Sequence, residues 1–143
     1  MLGAGFAHGR AVYSDSLPGR NEPTAKIYIK IRFADLAEDS LAQLDTGAAW
    51  SILNPKVARS LGITGWGAER IALSTRFGLY DGHLVRIPIT FIAQEGTSLE
   101  TEGMFFVSPD WPLDLSFLGY SGLLDSIRFA LDPQANHFYF GSS

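Results

Sequence analysis

A chain of 143 residues with 46% apolar and 18% charged residues is long enough to bury a core as one domain, and it contains no cysteine, which excludes disulfides, thiol catalysis and cysteine-held zinc. Its 11 Lys plus Arg against 15 Asp plus Glu give a formal charge of −4, and the basic residues are scattered singly, so nucleic acid and anionic membrane are poor partners. No run approaches the roughly 18 apolar residues of a membrane span, and the opening stretch Met1 to Arg10 has no cationic start, so the expectation is a soluble protein without a secretory signal, in a compartment left open.

Residues 1–24 are rich in Gly, Ser, Pro and Asn and lack either periodicity, which reads as a flexible arm ahead of a domain over 25–143. Gly3, Gly5 and Gly9 do not form a dinucleotide fingerprint, because no strand can precede Gly3 and the spacing is too long. From Lys26 the pattern changes: Ile27, Ile29, Ile31 and Phe33 alternate with Lys26, Tyr28, Lys30 and Arg32, as in a half-buried strand. After a polar turn from Ala34 to Ser40, Leu41 to Leu44 forms a second strand that delivers Asp45. Trp50 to Leu53 resumes as a strand, and Asn54 caps a short helix with Pro55 at its first position and Gly62 just past its end.

A link through Gly65, Trp66 and Gly67 leads to a strand at 69–74. Gly78 and Gly82 then bracket a hairpin tip carrying the Asp81-Gly82 turn signature, and Leu84 to Ile92 continues as an alternating strand. Gln94 to Ser98 reads as a turn, and Met104 to Val107 as a wholly apolar strand. A loop with Pro109, Trp111 and Pro112 precedes Leu115 to Gly119, a short helix follows near 121–126, and the strands Ile127 to Leu131 and His137 to Phe140 end the chain. So many short strands predict an all-β sandwich or closed barrel. There is also an internal echo: the hairpin before Asp45 is repeated by the alternating run Val85, Ile87, Ile89 and Phe91 on the way to Gly119.

The chemistry gathers at Asp45-Thr46-Gly47, where a carboxylate leaves an apolar strand at a sharp turn. Together with the downstream Phe117-Leu118-Gly119, this stretch resembles the retropepsin-like aspartic peptidases, and the resemblance runs over roughly residues 25 to 141. It implies an all-β retropepsin-like closed barrel with one or two short helices and a flap hairpin. It further implies that Asp45 is catalytic, that Thr46 and Gly47 complete the catalytic loop, and that Ala48, Gly78, Leu79, Tyr80 and Gly119 meet a peptide or protein substrate, with no cofactor or metal.

Such hydrolysis needs two carboxylates sharing one proton, one to activate water and one to donate to the substrate carbonyl. The chain has no second triplet: Asp81-Gly82 lacks the hydroxyl residue, and Asp125-Ser126 is followed by Ile127. A two-fold homodimer would supply the other Asp45. Retroviral members brace their dimers with an Asp–Arg pair at the positions of Ala49 and Tyr120 here, and losing both together leaves no buried charge unpaired. The chain is thus closer to bacterial and cellular relatives, and a dimer would lean on terminal strands such as His137 to Phe140 and the arm.

Two other classes compete: a noncatalytic module that keeps the fold for protein binding or assembly, and an unrelated β-barrel binding protein. Gly119-Tyr-Ser121-Gly122 is a residue short of a nucleophile elbow, and His8, His83 and His137 show no metal spacing. Trp50, Trp66 and Trp111 read as core or cleft wall, core being favoured.

Overall fold

Alternating side chains decide most of the β structure, and in the computed structural model, which describes residues 5–17, 26–63, 70–75 and 77–142, the alternating runs close on themselves. Gly3, Arg76 and the link through Gly65, Trp66 and Gly67 lie outside these residues. In chain order the elements are β1 (Gly9–Val12), β2 (Ile27–Phe33), β3 (Ser40–Leu44), β4 (Ser51–Ile52), α1 (Pro55–Ser60), β5 (Arg70–Thr75), β6 (Gly78–Phe91), β7 (Glu95–Gly96), β8 (Leu99–Val107), β9 (Ser116–Leu118), a short 3-10 helix (Leu124–Ser126), β10 (Ile127–Asp132) and β11 (His137–Ser142).

Six strands in the order β2-β3-β9-β4-β8-β6 form a barrel, closed by the pairing of Ile31 to Phe33 with Ile89 to Phe91. β5 continues that sheet past β6 as a hairpin. A second sheet, β10-β11-β1-β7, packs its aromatic side chains into the same core. Phe33 meets Phe105 edge-on with ring centroids 5.5 Å apart, and Phe138 and Phe140 lie 5.9 and 5.8 Å from Phe91. Each such fully buried ring contributes about 1.5–3 kcal/mol by leaving water. Tyr28, expected on the polar face of its strand, is buried because Ser14 pairs with it in an antiparallel bridge.

The barrel is built twice over. The β2–β3 hairpin is followed by a loop, β4 and α1; the β6–β8 hairpin is followed by a loop, β9 and the 3-10 helix. β3 pairs in parallel with β9 and β8 in parallel with β4, so each half lends its last strand to the other, and the two lent strands meet antiparallel at Ile52 and Phe117. The registers, Ala42 against Ser116 and Phe105 against Ser51, make Ser51 equivalent to Ser116 and Ala42 to Phe105. Hydrogen bonds obey the same two-fold relation. The hydroxyl of Ser51 accepts the Gly119 N–H at 2.9 Å, and that of Ser116 accepts the Asn54 N–H at 2.8 Å.

Several expectations shift. The hairpin turns between Thr75 and Gly78, not at Asp81-Gly82, which sits inside β6 opposite Ile71 and Ala72. Gly82 is needed there for a different reason: a Cβ would collide with the Val107 carbonyl and the Phe106 ring of β8. Within the segment read as an arm, Gly9–Val12 forms a strand against β11, its register fixed by Gly9 opposite Phe140, and Arg10 pairs with Glu95. β11 therefore has neighbours on both sides within its own chain and keeps no free edge for a partner.

Truncating either axial serine strands a backbone N–H, which costs about 1–3 kcal/mol where that group is buried. Ser51→Ala should lower the denaturant midpoint more than Ser116→Ala, because the bond to Gly119 is buried and that to Asn54 only partly so. Equilibrium unfolding of both variants in urea checks this order.

Candidate active site

Asp45 follows β3 directly, and its N–H donates to the Leu118 carbonyl at 2.9 Å, which carries the parallel pairing with β9 one residue further. Its Oδ1 accepts the Gly47 N–H at 3.1 Å, and its carbonyl accepts the Ala48 N–H at 3.1 Å, so Asp45 makes its own turn. Oδ2 is left without a hydrogen-bond partner among the described residues. Behind the loop, Tyr120 and Ser121 donate to the carbonyls of Ala48 and Ala49, both at 2.8 Å. Gly119 is obligatory at this crossing, since a Cβ would strike the Trp50 carbonyl. Gly47 is different: among the described residues a Cβ there would meet only Asp45 Oδ1, at 3.5 Å, so none of them demands glycine.

The loop opens on a cleft of about 520 Å³, within the usual range for a ligand site. Asp45, Gly47, Ala48 and Ala49 line it from the loop; Trp50, Ile52, Trp111 and Phe117 from the barrel; Leu73, Ser74, Thr75 and Phe77 from the β5–β6 hairpin. The hairpin tip is bonded internally. The Thr75 hydroxyl accepts the Phe77 N–H and donates to the Gly78 carbonyl, both at 3.1 Å, and the Tyr80 hydroxyl donates to the Phe77 carbonyl at 2.9 Å. Its rings rest on Trp111, which Phe77, Tyr80 and Phe117 contact edge-on at 5.7, 5.6 and 5.8 Å.

Of the residues singled out from sequence, Asp45, Gly47 and Ala48 line the cleft, while Thr46 lies exposed on the loop beside them. Gly78, Leu79 and Tyr80 belong to the hairpin tip without lining the cleft, and Gly119 lies behind the loop. Trp50 and Trp111 are cleft wall, and Trp111 is at the same time 4% exposed, so the choice between core and wall was not exclusive. Sequence reasoning missed Leu73, Thr75 and Phe77; the alternation of Ile71, Leu73 and Thr75 was the available signal.

The two-fold relation inside the chain identifies what stands in the other half. Three residues beyond Ala42 is Asp45, and three beyond its equivalent Phe105 is Ser108. Ser108 repeats the turn: its hydroxyl accepts the Asp110 N–H and its carbonyl the Trp111 N–H, both at 3.3 Å. A smaller cleft of about 330 Å³ on that side is lined by Arg59, Arg70, Asp81, His83 and Asp110 around Ser108. Among the described residues no three His, Asp or Glu side chains converge to hold a metal, and no helix is long and apolar enough to cross a membrane.

No family model matches the chain, and no curated protein does. A solved structure does. The crystal structure of a retropepsin-like aspartic protease from Rickettsia conorii superposes with a TM-score of 0.60 at 19% identity, covering 92% of this chain and 98% of that one. The fold is retropepsin-like.

The loop after Ser108 is tied back to the other half by Asp114, whose carboxylate accepts Asn54 Nδ2 at 2.7 Å and Lys56 Nζ at 2.9 Å. These bonds, that to Lys56 foremost, hold the Asp114 carboxyl below its ordinary value. A carboxyl depressed by folding adds stability above its unfolded value, and that contribution is lost as pH falls through the folded value. Because the side chain is 63% exposed, the effect is small. The urea midpoint of Asp114→Asn should lie below that of the unaltered chain at neutral pH, and the gap should close below about pH 4.

Proposed function

We propose that this protein is an aspartic endopeptidase that works as a homodimer, with Asp45 of each copy forming one shared site. The observation that carries this reading is Asp45 at the edge of an apolar cleft, on an exposed turn, with one carboxylate oxygen uncommitted. The retropepsin-like fold supports it, and so does the pairing of one carboxylate with Ser108 within the chain, which leaves the second acid to come from a second copy.

In the shared site the ionised carboxylate takes a proton from water as that water attacks the scissile carbonyl carbon. The protonated carboxyl donates to the carbonyl oxygen, giving a tetrahedral diol; proton transfer to the amide nitrogen then breaks the C–N bond. Thr46 would hydrogen-bond across the two-fold axis, and Gly47, which no contact among the described residues requires, would let an extended peptide lie against the loop. The β5–β6 hairpin would act as the flap, Gly78 and Leu79 meeting the peptide on closure and Tyr80 bracing the tip.

Asp45→Asn, nearly isosteric, should abolish cleavage of a peptide library, a loss on the order of 10³-fold or more, while leaving circular dichroism and the unfolding midpoint unchanged. Unfolding of the variant would make Asp45 a structural residue instead. Activity should be bell-shaped in pH, peaking where the pair carries one proton, and a statine-type transition-state mimic should inhibit it. The second reading, a noncatalytic protein-binding module, is favoured by Ala49 and Tyr120 in place of the bracing ion pair. Peptide binding without turnover in the unaltered chain would select it.

A further inference from the structure

We propose that the smaller cleft, beside Ser108, binds short peptides with free termini, Arg59 and Arg70 receiving the α-carboxylate and Asp81 and Asp110 the α-ammonium. The cleft holds about 330 Å³, at the low end of the range for ligand sites. Ala58, His83, Val107 and Ser108 give it a buried lining, and four ionised side chains around it are exposed. Each of the four belongs to a different element: Arg59 to the last turn of α1, Arg70 to the start of β5, Asp81 to β6 and Asp110 to the loop after Ser108.

Two charges of each sign thus surround one small space without neutralising one another. Elsewhere opposite charges meet, Arg10 with Glu95, Arg32 with Asp39, Lys56 with Asp114 and Arg86 with Glu102. Arg59, Arg70, Asp81 and Asp110 close no ion pair, and their side chains join no hydrogen bond, among the described residues; Arg59 acts on Asp114 only at longer range. A purely anionic ligand would be drawn by the arginines and repelled by the aspartates, and a purely cationic one the reverse. A molecule that carries both charges complements all four. An extended dipeptide or tripeptide spans about 7–11 Å, so its two charges stay apart, as the unpaired charges of the cleft do.

The cleft adjoins the candidate active site through two shared elements. Asp110 lines it, and the next residue, Trp111, walls the Asp45 cleft. Arg70 and Asp81 lie on the same β5–β6 hairpin whose Leu73, Thr75 and Phe77 line the Asp45 cleft. A ligand held by both arginines would tie that hairpin to α1. Hydrolysis of a peptide bond creates one new carboxylate and one new ammonium, so short fragments belong to the class this cleft takes. Regulation by such products rests on the peptidase reading; the binding itself needs nothing from Asp45.

Amide chemical shifts of the isotope-labelled full chain, titrated with trialanine, read both the place and the strength of binding. Shifts should gather at Arg70, Gly82, His83 and Asp110 and spare Gly47 and Ala48, in the unaltered chain and equally in Asp45→Asn. Because the charged groups are exposed, affinity should be weak, about millimolar, and acetylating the amine or amidating the carboxyl should each lower it about threefold. Arg59→Gln and Arg70→Gln should each reduce the preference for a free carboxyl alone, and Asp81→Asn and Asp110→Asn the preference for a free amine alone. No shifts, shifts centred on Gly47 and Ala48, equal binding of the doubly capped peptide, or indifference to the cap on either terminus would overturn the proposal. The expected shifts in a chain that cleaves no peptide would support this site while removing the peptidase reading.

Discussion

The antiparallel contact of β4 with β9, a buried serine hydroxyl on either side of it, is the constraint on which the rest of the structure depends. Each strand belongs to one half of the chain and pairs in parallel with the other half's hairpin, so neither half closes without its counterpart. Ser51 and Ser116 are 0% and 1% exposed, and each hydroxyl takes a backbone N–H that has no strand partner. An apolar residue of similar size at either position would fill the space and orphan the donor. The same crossing requires Gly119 against the Trp50 backbone, and it fixes the backbone of Asp45 through the bond to Leu118. The site is therefore positioned by the closure of the barrel itself.

The two halves keep one turn and differ in the side chain that makes it. A turn of this kind needs only an oxygen two residues before an N–H, and serine supplies that as well as aspartate does. Ser108 accepts the Asp110 N–H on its hydroxyl and is 1% exposed, and it has no carboxylate to present. Asp45 commits one oxygen of two and remains half-buried at the cleft. The two halves thus share the geometry of the turn, and one of them carries a carboxylate there. A carboxylate in both turns would also have placed a second charge at the nearly inaccessible position of Ser108, where desolvation works against it.

What could be read from the residues was what local rules control. Asn54 and Pro55 begin α1, with the Asn54 side chain accepting the Lys56 N–H at 2.9 Å, and Gly62 follows its end. The alternation of Ile27 to Phe33 and of Val85 to Phe91 marks strands, and Asp45-Thr46-Gly47 marks the turn at the cleft. What failed was set by partners distant in sequence. Asp81-Gly82 has turn chemistry, but its glycine answers to the approach of β8, and the turn went to a neighbouring position where the Thr75 hydroxyl holds it. Gly9–Val12 has no alternation and becomes a strand because β11 lies beside it. The equivalence of Ser108 with Asp45 was invisible, since it follows from strand register and not from any shared residue type.

Trp111 ties the hairpin to the second half of the barrel. The hydrogen bonds among Thr75, Phe77, Gly78 and Tyr80 are internal to the hairpin tip. The edges of Phe77 and Tyr80 rest against one indole, contacts worth about 0.5–1.5 kcal/mol each beyond the area they cover. That indole is fixed from the other side: its Nε1 donates to the Leu115 carbonyl at 3.3 Å, Phe117 packs on it, and Asp114 anchors the same loop to the cap of α1. The hairpin thus rests on an indole supplied by the second half. Ser108 carries no carboxyl, yet the turn it makes starts the loop that holds this indole, so the half without a carboxylate at its turn supplies part of the cleft wall beside the carboxylate of the other.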